Sequence, residues 1–157
     1  TDKRARLVQT SNVGRFGLVP NKYFDVEELN QVGNNFLVLR GADVILMYSE
    51  VLNEIAYGSA DAFNYLNKVR NRAGLSSYTK TDLPDQESFR KAIYLERKLE
   101  FALEQSNWPD LKRTGTAIDE MAKVGLTITA DKLLLPIPQS EIEIINNPQG
   151  FPQNPGY

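Results

Sequence analysis

Apolar residues recur at three and four positions through the middle of the chain, the spacing of an amphipathic helix. Ala42, Ile45, Leu46, Ser49, Leu52 and Ala56 predict a first helix from about Gly41 to Tyr57. Gly58 ends it, and Ser59 with Asp61 opens a second helix whose apolar side carries Ala62, Phe63, Leu66 and Val69. Gly74 is placed to stop that helix. So tight a connection makes an αα-hairpin of tetratricopeptide-like length, though the residue signature of that repeat fits poorly. One hairpin cannot bury its own apolar face, so a third helix is expected, from about Gln86 to Ser106.

The remaining elements are shorter. Residues 1–36 read as an irregular lead-in, broken by Gly14, Gly17, Pro20 and Gly33, with extended pieces at Leu7–Val8 and Phe16–Val19. Pro109 is expected to break the third helix beyond Trp108, which would plug its end. Ala117 to Lys123 predicts a short helix, and residues 126–128 and 133–137 predict extended segments. Ser140-Glu141-Ile142-Glu143 reads as a capping box before a last helix, and the Pro-, Gly- and Asn-rich end reads as irregular, with Asn146, Asn147 and Asn154 as turn formers.

Polar residues interrupt the apolar face of the third helix. At about 100° per residue, Phe89, Ala92, Ile93, Leu99 and Leu103 share one arc, and Glu96 and Glu100 fall near its middle with Glu104 at the edge. A buried carboxylate without a cation costs several kcal/mol or takes up a proton. Arg70 and Arg72 in NKVRNRAG supply the cation from the second helix, and Arg40 stands at the entrance to the first. Glu96, Glu100, Arg70 and Arg72 are therefore expected to form a structural ion network. A glycosidase pair is the weighed alternative, but two acids on one helical face leave no room for a sugar ring between them. Tyr57 and Tyr78, near loop ends, are weak ligand-binding candidates. Their other reading is as rim residues of the core with wet hydroxyls.

Composition narrows the chemistry. The chain has no Cys and no His, which excludes Ser-His-Asp and thiol catalysis and structural zinc, and a di-iron site would want a Glu-x-x-His pair. No metal and no cofactor is expected. The formal charge of −2 offers no basic field for nucleic acid. No apolar run approaches the roughly 18 residues that span a bilayer. The start, TDKRARLVQT, lacks an initiator Met and a signal region and reads as the interior of a longer chain.

LRGADVILMYSEVLNE, LNKVRNRAGL, ERKLEFALEQSNWPDLKR, LLPIPQSEI and a terminal QNPGY, in that order, resemble the C-terminal region of the SusD/RagB family. Asn21-Lys22-Tyr23 resembles the Lys-Tyr that precedes this region, so the likeness covers about residues 20 to 157. The chain divides on this reading into the lead-in, 1–36, and a SusD/RagB-like helical region, 37–157. The resemblance implies an all-α fold of tetratricopeptide-like hairpins with long irregular segments and a short β-hairpin. It implies a non-enzymatic, surface-exposed outer-membrane lipoprotein of Bacteroidetes-type bacteria. Such proteins bind glycans or oligosaccharides, in some branches peptides, and serve a SusC-type TonB-dependent transporter. The lipidated N-terminal Cys and large N-terminal portion of the family are not in this chain, which resembles a fragment. Arg70, Arg72, Glu96, Glu100, Trp108, Asp110 and Arg113 look like framework positions of the family. Gln105-Ser106-Asn107 departs from the Gly and basic residues common before the Trp, which should adjust a helix end. The rival readings are a helical-repeat scaffold for a peptide or protein, and a carboxylate-based glycoside hydrolase.

Overall fold

A computed structural model describes residues 2–10, 18–20, 22, 37–104 and 106–157. Packing divides the chain into two units, Thr1–Asn107 and Trp108–Tyr157. Each is considered by itself.

In the first unit, α1 (Gly41–Ile55), α2 (Ala60–Arg72) and α3 (Gln86–Glu100) pack together, so the hairpin has its third helix. Leu46 from α1, Leu66 and Phe63 from α2 and Phe89 and Ile93 from α3 form the centre of the core. The Phe63 and Phe89 rings meet edge to face at 4.7 Å, a favourable arrangement for two aromatic quadrupoles. Ser49 is fully buried on α1 because its hydroxyl donates to the Ala62 carbonyl of α2 at 2.8 Å. Ala56, by contrast, is exposed, and α1 ends before it. Asn53, buried and not anticipated, exchanges hydrogen bonds with the start of α3: its Nδ2 donates to the Gln86 carbonyl, and Gln86 Nε2 donates to the Asn53 carbonyl.

Local chemistry sets the helix ends. Gly74 has φ +80°, its N–H donates to the Asn71 carbonyl, and Leu75 N–H donates to that of Arg70, so α2 closes in a Schellman motif. Asp85 caps α3 by accepting from Ser88 N–H at 2.7 Å, while the Ser88 hydroxyl accepts from Asp85 N–H.

The third helix is shorter than its apolar pattern. It stops at Glu100, and Leu103 takes a left-handed backbone (φ 70°), which no continuing helix allows. The arc through Leu99 and Leu103 therefore does not persist. Both residues are exposed, and Arg97 is buried in their stead. Within residues 1–36, Lys3–Leu7 forms a 3-10 helix, and β1 (Val8–Thr10) pairs antiparallel with β2 (Leu18–Pro20), Gln9 opposite Val19. The extended piece expected at Phe16–Val19 is described only from Leu18 on. Gly14, Gly33, Asn21 and Tyr23 lie outside the described residues.

The second unit holds all but the first residue of α4 (Asn107–Arg113), then α5 (Ala117–Lys123), a 3-10 turn at Ala130–Leu133 and α6 (Gln139–Ile145). Pro109 breaks nothing: it lies in the first turn of α4, where its missing N–H has no helical acceptor to lose. Trp108, half-buried, belongs to that turn and not to the end of α3. The expected capping box is also absent, because Pro138 precedes α6 as its cap and Ser140 lies inside the helix. Residues 126–128 and 134–137 pair with no strand among the described residues. Asn146 (φ 47°) ends α6, Asn147 Oδ1 accepts from Gly150 N–H, and Asn154 Nδ2 donates to the Leu135 carbonyl at 2.7 Å.

Candidate functional site

The densest cluster of charge lies in the first unit, where α3 ends. Periodicity carries Glu96 and Glu100 onto the inward face of α3, and both are fully buried. Arg70, in the last turn of α2, donates through Nη1 to Glu96 Oε2 at 3.1 Å. Its Nε donates to the Ser76 carbonyl. Arg72, two residues on, donates to Glu100 Oε1 from a largely exposed guanidinium. Arg40, just before α1, spans two acids. Its Nη1 meets Glu100 Oε1 at 2.5 Å, while Nε and Nη2 form a two-pronged contact with Glu104 at 2.9 Å each. Such side-on geometry is the strong form of an Arg–carboxylate contact.

Two further cations come from the segment read as a lead-in. Arg4, on the 3-10 helix, meets Glu96 Oε1 at 2.6 Å and grips Asp2 with the rest of its guanidinium. Lys22 pairs with Glu104 and donates to the carbonyl of Glu100, a last-turn acceptor freed as α3 ends, and to that of Ala102 in the turn beyond. Neither cation was anticipated from the sequence, since no local periodicity links them to α3. Asp43 and Arg97 form another bridge at 2.7 Å, tying α1 to α3. The Arg40 and Arg97 guanidinium groups lie 4.5 and 5.1 Å from the centroid of the Phe101 ring.

The charges reinforce one another. Burial pushes the Glu104 carboxyl up, but hydrogen bonds from Arg40 and Lys22 outweigh it and hold the group below its ordinary value. Burial likewise works against the charge on Arg4 and Arg40, and the carboxylates they grip raise both above the usual guanidinium value. Glu104 is thus held in its ionised form by direct contact with cations. Glu100 Oε2 is buried and accepts no hydrogen bond among the described residues, with Arg4 Nη1 3.6 Å away.

Tyr57 and Tyr78 both pack, half-buried, against the core. The Tyr57 hydroxyl donates to the Leu83 carbonyl. The Arg70 guanidinium lies 3.6 Å from the Tyr78 ring centroid and so covers one face of that ring. Asn67 holds the Tyr78 backbone from both sides, through Nδ2 to its carbonyl and Oδ1 from its N–H. Neither ring stands free as a stacking platform. In α4, Asp110 and Arg113 pair at 2.8 Å. Among the described residues no group of acids is arranged to hold a metal ion, and no helix is long and apolar enough to cross a membrane.

The sequence model of the SusD family matches residues 8–127. SusD-like protein P2 of Formosa agariphila is 36% identical over 133 residues, and SusD-like protein P25 of the same organism is 40% identical over 120. These alignments cover 78% and 71% of this chain but 26% and 22% of the relatives. Among solved structures, surface glycan-binding protein A from Bacteroides thetaiotaomicron superposes with a TM-score of 0.63 at 32% identity, over 81% of this chain and 26% of its own. A SusD-like protein from Bacteroides fragilis gives 0.59 at 26% identity, over 78% and 26%. The chain thus spans about a quarter of the length of the proteins it matches.

Proposed function

The chain belongs to the SusD family, and from that premise we propose that it is the C-terminal helical part of a surface protein that captures glycans. One observation carries the reading: a structural likeness with 32% identity to a surface glycan-binding protein. In this reading the protein sits on the outer membrane, lipid-anchored, and passes oligosaccharide to a SusC-type TonB-dependent transporter. It performs no catalysis, and it uses no metal or cofactor.

The ion network is the framework of that part. Glu96, Glu100 and Glu104 each meet at least two cations drawn from different segments, so the acids join the lead-in, the entrance to α1 and the end of α2 to α3. A general acid needs a carboxyl held protonated near its working pH, and cation contacts favour the opposite form. In this reading the three acids do not touch sugar.

A glycan array probed with the protein at its native length, and with this chain beside it, tests the reading. The native protein should retain oligosaccharides that the chain alone does not. An array on which only peptides are retained would replace the glycan reading with that of a peptide scaffold.

A further inference from the structure

The ion network borders a cavity of about 400 Å³, within the range of roughly 300–1,000 Å³ usual for ligand pockets. Its described walls are unequal in charge. Five cations face it, Lys3, Arg4, Lys22, Arg40 and Arg72, against the two acids Glu100 and Glu104. Glu96 and Asp2, which also grip Arg4, do not line it. Arg4, Lys22 and Arg40 are spent on carboxylates and carbonyls. Lys3 is not, and Arg72 is only in part.

Arg72 makes one hydrogen bond among the described residues, through Nη2 to Glu100, which leaves Nε and Nη1 as donors on a guanidinium that is 62% exposed. Lys3 has an exposed ammonium with no acidic partner among the described residues. Its backbone N–H is anchored to the Ala73 carbonyl at 2.8 Å, and its alkyl stem lies over Gly74. The two cations therefore stand at one rim, beside the end of α2. Beneath them the Glu100 carboxylate is buried and bound by Arg40 and Arg72. Cationic donors left over at the rim of a cavity match a ligand that carries an acidic group.

We propose that this cavity binds an acidic sugar, its carboxylate or sulfate held by Arg72 and Lys3. The sugar part rests on the glycan reading above, and the anionic part rests on the cavity. Charge-assisted hydrogen bonds supply the discrimination, since a neutral sugar of the same shape leaves both cations where they were.

The test is a chemical-shift titration of the 157-residue chain with galacturonate, galactose 6-sulfate and galactose, following the amides of Lys3 and Gly74. Both acids, or the one whose geometry fits, should move those amides saturably, and galactose should not. Arg72→Gln should weaken the effective acid about tenfold, the loss expected of one charge-assisted hydrogen bond. Lys3→Gln, which removes no ion pair of the described fold, should weaken it in the same direction and guards against misfolding of the first variant. Galactose acting as well as the acids, amides that stay still with all three, or an unchanged response in the Lys3 variant would overturn the proposal. Retention of neutral glycans on the array, with still amides here, would leave the glycan reading standing and remove only this site.

Discussion

Arg4 and Glu96 meet at 2.6 Å although 92 positions of chain separate them. The contact fastens the 3-10 turn at the start of the described chain to the buried face of α3. Glu96 divides its two oxygens between this arginine and Arg70 of α2, so one carboxylate joins three segments. Removing an acid held this way takes from Arg70 its carboxylate partner among the described residues and leaves Arg4 only Asp2 and the longer contact to Glu100.

Glu96→Ala is therefore expected to destabilise the chain by about 3–5 kcal/mol, the usual cost of breaking a buried pair from one side. The loss should shrink when Arg4 is already Ala, with a coupling of about 0.5–3 kcal/mol between the two changes. Urea unfolding of the wild type, both single variants and the double variant measures it. Strict additivity would mean that the contact is geometric without being energetic.

Arg90 offers the contrast. It grips Glu54 of α1 with Nε and Nη2 at 2.8 and 2.7 Å, a geometry as good as that of Arg40, but both partners stand in solvent. Arg90→Ala should cost no more than about 1 kcal/mol, since water screens the pair and the side chains lose entropy in forming it. High salt should reduce even that. A loss as large as that of Glu96→Ala would show that geometry, and not burial, sets the scale.

The end of α2 gives a backbone prediction. Gly74 has φ +80°, and a Cβ there would come within 3.0 Å of the Lys3 side chain. Left-handed backbone costs a residue with a Cβ roughly 1–2 kcal/mol. The Lys3 stem is flexible and can swing aside, so the strain should dominate. Thermal unfolding of Gly74→Ala should show a loss of that size, and Gly74→Asn should lose less.

These sites differ in how plainly the chain announces them. The helices α1 and α2 follow from three- and four-residue spacing, α5 is expected at Ala117 to Lys123 where it forms, and Gly74 marks its own turn. Glu96 and Glu100 stand out as acids on an apolar arc, and Arg70 and Arg72 are close enough in sequence to be named as partners. Arg4 and Lys22 are not, because tertiary contact alone brings them to α3, and periodicity reports only local neighbours. The arc itself misled beyond Glu100. Leu99 and Leu103 continue the spacing, yet the helix ends before Leu103, and Arg97 takes the buried side through Asp43. Apolar spacing shows which residues could share a face, and not where the hydrogen-bond ladder stops.

Glu104 makes the network sensitive to acid. Its carboxyl is held below the ordinary value of 4.5 because Arg40 and Lys22 outweigh the effect of burial. A carboxyl lowered in the folded state stabilises the fold at pH above its unfolded value, and that contribution disappears as pH falls through the lowered one. Unfolding midpoints should therefore be flat with respect to this group above about pH 5 and decline below it. Glu104→Gln should flatten the acid limb and lower the plateau. An acid limb of unchanged steepness in that variant would assign the acid sensitivity to other carboxyls.

Glu100→Gln separates a framework role from a catalytic one. The buried amide still fills the site and can accept from one of the guanidinium groups of Arg40 and Arg72, but it no longer balances their charge. Stability should fall by about 1–3 kcal/mol, less than for truncation to Ala, because part of the hydrogen bonding survives. Glycan retention by the native-length protein should be unchanged in whatever fraction remains folded, as measured by affinity electrophoresis beside a denaturant titration. A hydrolase would behave in the reverse way: the wild type would cleave a glycan, and the variant would lose that cleavage at unaltered stability. Acids locked to arginines on a single helical face predict the first pattern, because their oxygens are committed to the fold and no sugar ring fits between them.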